Sequence, residues 1–128
     1  MEQAEIPKPV RVLLVEDSAT VREAIASEFE ADPRFEVVGQ AASVAEAREL
    51  LAEVEVAILD LGLPDGSGAD LIPELRSANP NARAIVLSTT YDRAVHLRAI
   101  EHGAAAVLDK VAHFGQVTQA VWQILSAQ

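Results

Sequence analysis

Glu16-Asp17, Asp60, Ser88 and Lys110 each follow closely on a short apolar run, at residues 10–15, 56–59, 84–87 and 105–108. Runs this short and this apolar read as strands covered on both faces. In an open parallel sheet flanked by helices, the loops leaving the carboxyl ends of the strands share one edge, and ligands bind there. Three carboxylates, a hydroxyl and an ammonium therefore converge on one surface. Such a set suits a divalent cation and a phosphoryl group.

Asp60 would stand at the end of a buried strand, where a carboxylate costs free energy unless it is compensated. A cation and a lysine supply that compensation. Mg2+ takes oxygen ligands, usually one or two carboxylates with waters and phosphate oxygens. Glu16, Asp17 and Asp60 offer the carboxylates, and the peptide carbonyl of Gly62 offers a further ligand. Without a cation these acids repel one another, and Lys110 offsets one of them. With the cation bound, the Asp60 carboxylate can attack a phosphoryl group and form an aspartyl phosphate. Mg2+ and Lys110 would neutralise charge on the phosphoryl oxygens. A hydrogen bond from the Ser88 hydroxyl to the same group would make the position of its loop depend on the ligand. Taken singly, Glu16-Asp17 suits a solvated turn and Asp60 a turn cap. The weight lies in the whole set, distributed in order over successive strand ends.

The segments between these strands have helical spacing. Val21, Ile25 and Phe29 recur every four residues and predict a helix over 18–32, ended by Pro33. Residues 35–41 read as a further strand. Ser43-Val44-Ala45-Glu46 is a capping-box pattern, opening a helix whose buried stripe is Val44, Ala47, Leu51 and Val54. Three glycines and a proline between Gly62 and Gly68 predict a loop, which lacks the Gly-Lys-Ser/Thr ending of a phosphate-cradling loop. Leu71, Leu75 and Ala78 mark a third helix closed by Asn79-Pro80, with Pro73 tolerated only near its first turn. Asp92 caps a fourth over 92–102, ended by Gly103. Val117, Val121 and Leu125 stripe a last helix that runs nearly to Gln128. Five strand–helix units in alternation imply an α/β fold: a parallel sheet, right-handed crossovers and helices on both faces.

The bulk composition narrows the function classes. At 128 residues, half of them hydrophobic, the chain is one domain able to bury its own core. Pro7 and Pro9 make residues 1–9 an extended, mobile tail, with the folded domain over 10–128. A formal net charge of −10 disfavours direct nucleic-acid binding, which needs a positive surface. The absence of cysteine excludes disulfides and thiolate metal sites. No signal peptide opens the chain and no apolar stretch is long enough to span a bilayer, so a soluble cytoplasmic protein without membrane contact is expected. His96, His102 and His113 lack ligand spacing and read as surface or helix-end residues, and Trp122 as a packing residue.

The chain resembles the receiver domain of bacterial two-component response regulators over about residues 10–127. The resemblance rests on Val12-Leu13-Leu14-Val15-Glu16-Asp17-Ser18 and on Ile58-Leu59-Asp60-Leu61-Gly62-Leu63-Pro64-Asp65-Gly66-Ser67-Gly68. Ile85-Val86-Leu87-Ser88 and Gly103-Ala104 through Lys110 complete it. It implies a flavodoxin-like fold with strand order 2-1-3-4-5. By the same resemblance Asp60 is the phosphoacceptor, Glu16 and Asp17 the acidic Mg2+ pair, Ser88 the switch hydroxyl and Lys110 the phosphate-contacting lysine. The implied donor is a phosphohistidine on a sensor histidine kinase or phosphotransfer protein. Phosphorylation would reshape the face built from 92–102, 105–108 and 114–127, which binds a downstream protein or a second receiver as a homodimer. The chemistry is self-directed, with autodephosphorylation, so the domain is not an enzyme in the usual sense.

Three departures from the family pattern stand out. The position three before the lysine, often Tyr or Phe, is Val107, and Tyr91 is the candidate substitute. Thr89 replaces the usual small residue after Ser88, where it narrows access to the phosphoryl group or adds a donor. Val111 replaces a common proline, and a cis peptide there is costly for a non-proline residue. Val107 and Thr89 also support a second reading, a phosphorylation-independent interaction domain of the same fold. A third, a Mg2+-dependent phosphohydrolase, lacks an acidic residue following Asp60 at the close spacing of a general acid. No DNA-binding or catalytic segment follows the last helix in these residues, which leaves two expectations open, a stand-alone receiver or a receiver cut from a longer regulator.

Overall fold

The computed structural model describes residues 8–127, so all but Lys8 and Pro9 of the expected tail lies outside the described residues. Five parallel strands, β1 (Val10–Val15), β2 (Phe35–Ala41), β3 (Val56–Asp60), β4 (Arg83–Ser88) and β5 (Ala106–Asp109), form one sheet in the order β2-β1-β3-β4-β5. This is the expected flavodoxin-like order. The chain moves outward from β1 to β2 and then returns to the other side of β1, which opens a crevice beyond the ends of β1 and β3. Glu16-Asp17 and Asp60 leave the sheet at that point.

Alternation along the buried strands divides the core in two. Val12, Leu14, Ile58, Ile85 and Leu87 pack with Ile25 and Phe29 of α1 (Ala19–Glu30) and Val117 and Val121 of α5 (Val117–Ser126). Leu13, Val15, Leu59, Ala84 and Val86 face α2 (Val44–Arg48), α3 (Leu71–Ala78) and α4 (Arg93–Glu101), meeting Val44, Leu71, Ile72, Leu75 and Ala99. Helices on both faces thus account for strands that are apolar nearly throughout. Trp122 is a packing residue: its ring meets Phe35 edge-on at 6.0 Å and the Arg34 guanidinium lies 4.8 Å from its centroid.

The second helix differs from expectation. It stops at Arg48 rather than continuing to Val54, because Glu49 N–H and Leu50 N–H bond to the carbonyls three residues back, tightening the chain out of α geometry. The tightened turns still deliver the expected stripe: Val44, Ala47, Leu51 and Val54 are all buried. Ser43 and Asp92 cap their helices as expected, and Ser18, read from sequence as the first helical residue, is the N-cap of α1; each accepts a backbone N–H. The N-cap of α5 makes no such bond. Glu28, across on α1, accepts the Thr118 N–H at 3.0 Å instead.

Candidate functional site

Glu16 is 5 % exposed, and both of its carboxylate oxygens are occupied. Oε2 accepts the Ser18 N–H at 3.0 Å and Oε1 accepts Lys110 Nζ at 2.6 Å. Arg22 Nη1 donates to the Glu16 carbonyl at 2.7 Å, fixing the turn between β1 and α1. On Asp60, Oδ1 accepts the Gly62 N–H at 3.2 Å and Oδ2 accepts Lys110 Nζ at 3.1 Å. Asp17 is exposed at the mouth of this group. Carboxylate oxygens from Glu16, Asp17 and Asp60 all come within 4.8 Å of one another.

Lys110 reaches this cluster because its own N–H bonds to the Ser88 carbonyl at 2.9 Å, continuing the β4–β5 ladder past Asp109. Burial acts to lower its pKa. The hydrogen bond to Glu16, with the charge and hydrogen bond of Asp60, outweighs that and raises it, so the side chain is an ammonium.

Gly68 lies beneath Asp60 at the start of a 3-10 turn (Gly68–Asp70), where a Cβ would collide with the Asp60 carbonyl oxygen. Close backbone approach excludes any side chain there. The loop before it is anchored elsewhere. Asp65 Oδ1 accepts the Val44 N–H at 2.8 Å and Oδ2 the Ala45 N–H at 3.0 Å, bonds that hold its pKa below the usual carboxylate value.

Ser88 is buried at the end of β4, and its Oγ accepts the Thr90 N–H at 3.1 Å. That leaves the hydroxyl hydrogen free to donate. Thr89 is exposed. Val107 is partly buried against the core under α2, α3 and α4, with no polar atom to offer the loop. The Tyr91 ring is 78 % exposed. Its hydroxyl lies beside the Asp109 carboxylate, which raises the tyrosine pKa. Among the described residues no peptide bond is cis.

Five residues singled out from sequence therefore meet at one edge: Glu16, Asp17, Asp60, Gly62 and Lys110. Ser88 lies alongside, joined to Lys110 through the backbone. Arg22, Gly68 and Asp65 were not anticipated. A signal for Arg22 exists, since it is the one basic residue of α1 and sits one turn past the Ser18 cap. The donor set fits Mg2+. It is all oxygen, and three carboxylates with one ammonium leave two negative charges, the complement of one divalent cation.

Among known families, the response regulator receiver domain matches residues 12–122. The chain belongs to that family. This receiver is 41 % identical over 103 residues to the DNA-binding transcriptional activator DevR/DosR of Mycobacterium tuberculosis, covering 79 % of this chain and 48 % of that protein. It is also 41 % identical over 105 residues to the protein-glutamate methylesterase/protein-glutamine glutaminase of Halalkalibacterium halodurans, covering 79 % of this chain and 30 % of that protein. The chain thus spans about half, or less, of the length of these curated relatives. Among solved structures, the signal receiver domain of the putative response regulator NarL from Mycobacterium tuberculosis superposes with a TM-score of 0.85 at 28 % identity. That match covers 95 % of this chain and all of that one. The response regulator domain of Thermotoga maritima CheB superposes with a TM-score of 0.77, also at 28 % identity, over 93 % of this receiver and 96 % of that domain. Receiver domains of this kind serve two-component systems, where they interact with histidine kinases and phosphotransfer proteins. No helix among the described residues is long and apolar enough to cross a membrane.

Proposed function

We propose that this receiver is a phosphorylatable switch in which Asp60 accepts a phosphoryl group from a phosphohistidine on a sensor histidine kinase or phosphotransfer protein. The observation that carries this reading is the Lys110 ammonium held between Glu16 and Asp60, with an acidic triad around it. In the transfer, an Asp60 oxygen forms a bond to phosphorus while the bond from phosphorus to the donor imidazole nitrogen breaks, and that nitrogen takes up a proton from water. Glu16, Asp17 and Asp60, with the Gly62 carbonyl, would hold Mg2+, which when bound neutralises charge on the phosphoryl oxygens. Lys110 supplies a positive charge on the same oxygens. Ser88 donates its free hydroxyl hydrogen to the new phosphoryl group, Thr89 borders it, and the β4–α4 loop follows.

The output surface in this reading is the face of α4, β5 and α5. Leu97, Ile100, Val111 and Phe114 are exposed on or beside it, apolar area suited to a downstream protein or a second copy of the chain. Phosphorylation shifts populations on this face only through contacts that differ between the two states. Hydrolysis of the aspartyl phosphate resets the switch, so the domain acts on itself, in the cytoplasm, rather than turning over a separate substrate. Val107 favours one second reading, an interaction domain that works without phosphorylation, because the loop lacks an aromatic partner on β5.

Intact-protein mass after incubation with Mg2+ and acetyl phosphate separates the two. One added phosphoryl group, absent in Asp60→Asn and with a chelator, is the result the switch requires. An unchanged mass in all three samples supports the phosphorylation-independent domain.

A further inference from the structure

The β4–α4 loop is closed by short-range hydrogen bonds. Ser88 Oγ accepts the Thr90 N–H, Thr90 Oγ1 the Asp92 N–H at 3.1 Å, and Asp92 Oδ1 the Ala94 N–H at 2.9 Å. One further bond differs in kind. His96, a turn into α4 and half-buried, places Nε2 2.7 Å from the Thr90 carbonyl oxygen. A carbonyl only accepts, so Nε2 carries the proton, and both the neutral Nε2–H tautomer and the imidazolium can make this bond. Thr90 is thereby held from both sides, its N–H by Ser88 and its C=O by His96.

From β5, Val107 offers the loop no polar atom, and Asp109 meets the loop only at the hydroxyl of the exposed Tyr91. The loop that carries Ser88 is therefore coupled to α4, one element of the proposed output face, through the imidazole of His96. We propose that His96 is a positioning residue that latches this loop in its resting place, so that closure of Ser88 on a phosphoryl group at Asp60 requires the Thr90 carbonyl to leave Nε2. The proposal rests on the reading of Asp60 as phosphoacceptor. A hydrogen bond of this kind biases the resting state by about two- to tenfold.

Two variants separate the bond from the packing. His96→Phe keeps a ring and removes the donor, whereas His96→Gln keeps a donor at similar reach. Phosphorylation by acetyl phosphate with Mg2+ is followed by intact mass, and the Thr90 amide by NMR without any donor. The latch predicts that His96→Phe phosphorylates about two- to tenfold faster with a displaced Thr90 amide, while His96→Gln matches the wild type in both. A His96→Phe protein identical to wild type in both readouts overturns it, as does a His96→Gln protein that behaves like His96→Phe. If the wild type takes up no phosphoryl group, the phosphoacceptor reading fails instead. The Thr90 amide then decides alone: displaced in His96→Phe and restored in His96→Gln it supports the latch, and any other pattern overturns it.

Discussion

Lys110 Nζ and Glu16 Oε1 lie 2.6 Å apart although 94 positions separate them in sequence. The lysine is closer to this buried glutamate than to Asp60, at 3.1 Å. It therefore offsets the charge of the most buried acid of the cluster, with Asp60 and the exposed Asp17 beside it.

Removing that ammonium strands the Glu16 charge. Breaking a buried ion pair from one side costs several kcal/mol, and the partial exposure of Lys110 lowers this to about 2–4 kcal/mol for Lys110→Met. Because Mg2+ would compensate the same acids, it should restore more stability to Lys110→Met than it adds to the wild type. Urea unfolding with Mg2+ and with chelator checks this. Equal Mg2+ effects on the two proteins would mean that the lysine and the cation do not share the cluster.

Gly68→Ala should act on the site from below. The new Cβ meets the carbonyl oxygen of Asp60, backbone that cannot rotate away. Overpacking of this kind costs about 1–3 kcal/mol, and the displaced β3 terminus should slow uptake of a phosphoryl group by Asp60. Gly62→Ala is the control for stability, since nothing lies within 4 Å of a Cβ there. A Gly68→Ala protein as stable as Gly62→Ala and as reactive as the wild type would contradict the close approach.

Asp65 makes a prediction about acid. Its pKa is lowered by the N–H groups of Val44 and Ala45, so its contribution to stability is present above the unfolded value of about 3.9 and disappears as pH falls through the folded value. Asp65→Asn should be less stable than the wild type at pH 7. The gap should narrow as pH drops below about 4. A gap that stays constant from pH 7 to pH 3 in urea titrations would exclude this linkage.

The strand-end pattern made most of the site legible, because period and burial dictate where β1, β3, β4 and β5 stop. Sheet order came from family resemblance and not from spacing, and the structure has that order. What remained hidden was tertiary. The early end of α2 depends on turns that keep Leu51 and Val54 buried, which helical spacing alone reads as one continuous helix. The register shift between β1 and β2, where Leu13 pairs with Gly39 rather than Val38, leaves no mark in an apolar run. Asp65 and Glu28 accept N–H groups at the starts of α2 and α5 through contacts that sequence distance conceals.

The central claim is that Asp60 itself carries the phosphoryl group. Borohydride reduces an acyl phosphate to an alcohol, converting a phosphorylated aspartate to homoserine. After treatment with acetyl phosphate and Mg2+, then borohydride, peptide mass spectrometry should find homoserine at position 60, and only in samples that contained Mg2+. Aspartate unchanged at position 60, with the phosphoryl group on another residue or on none, would contradict the account.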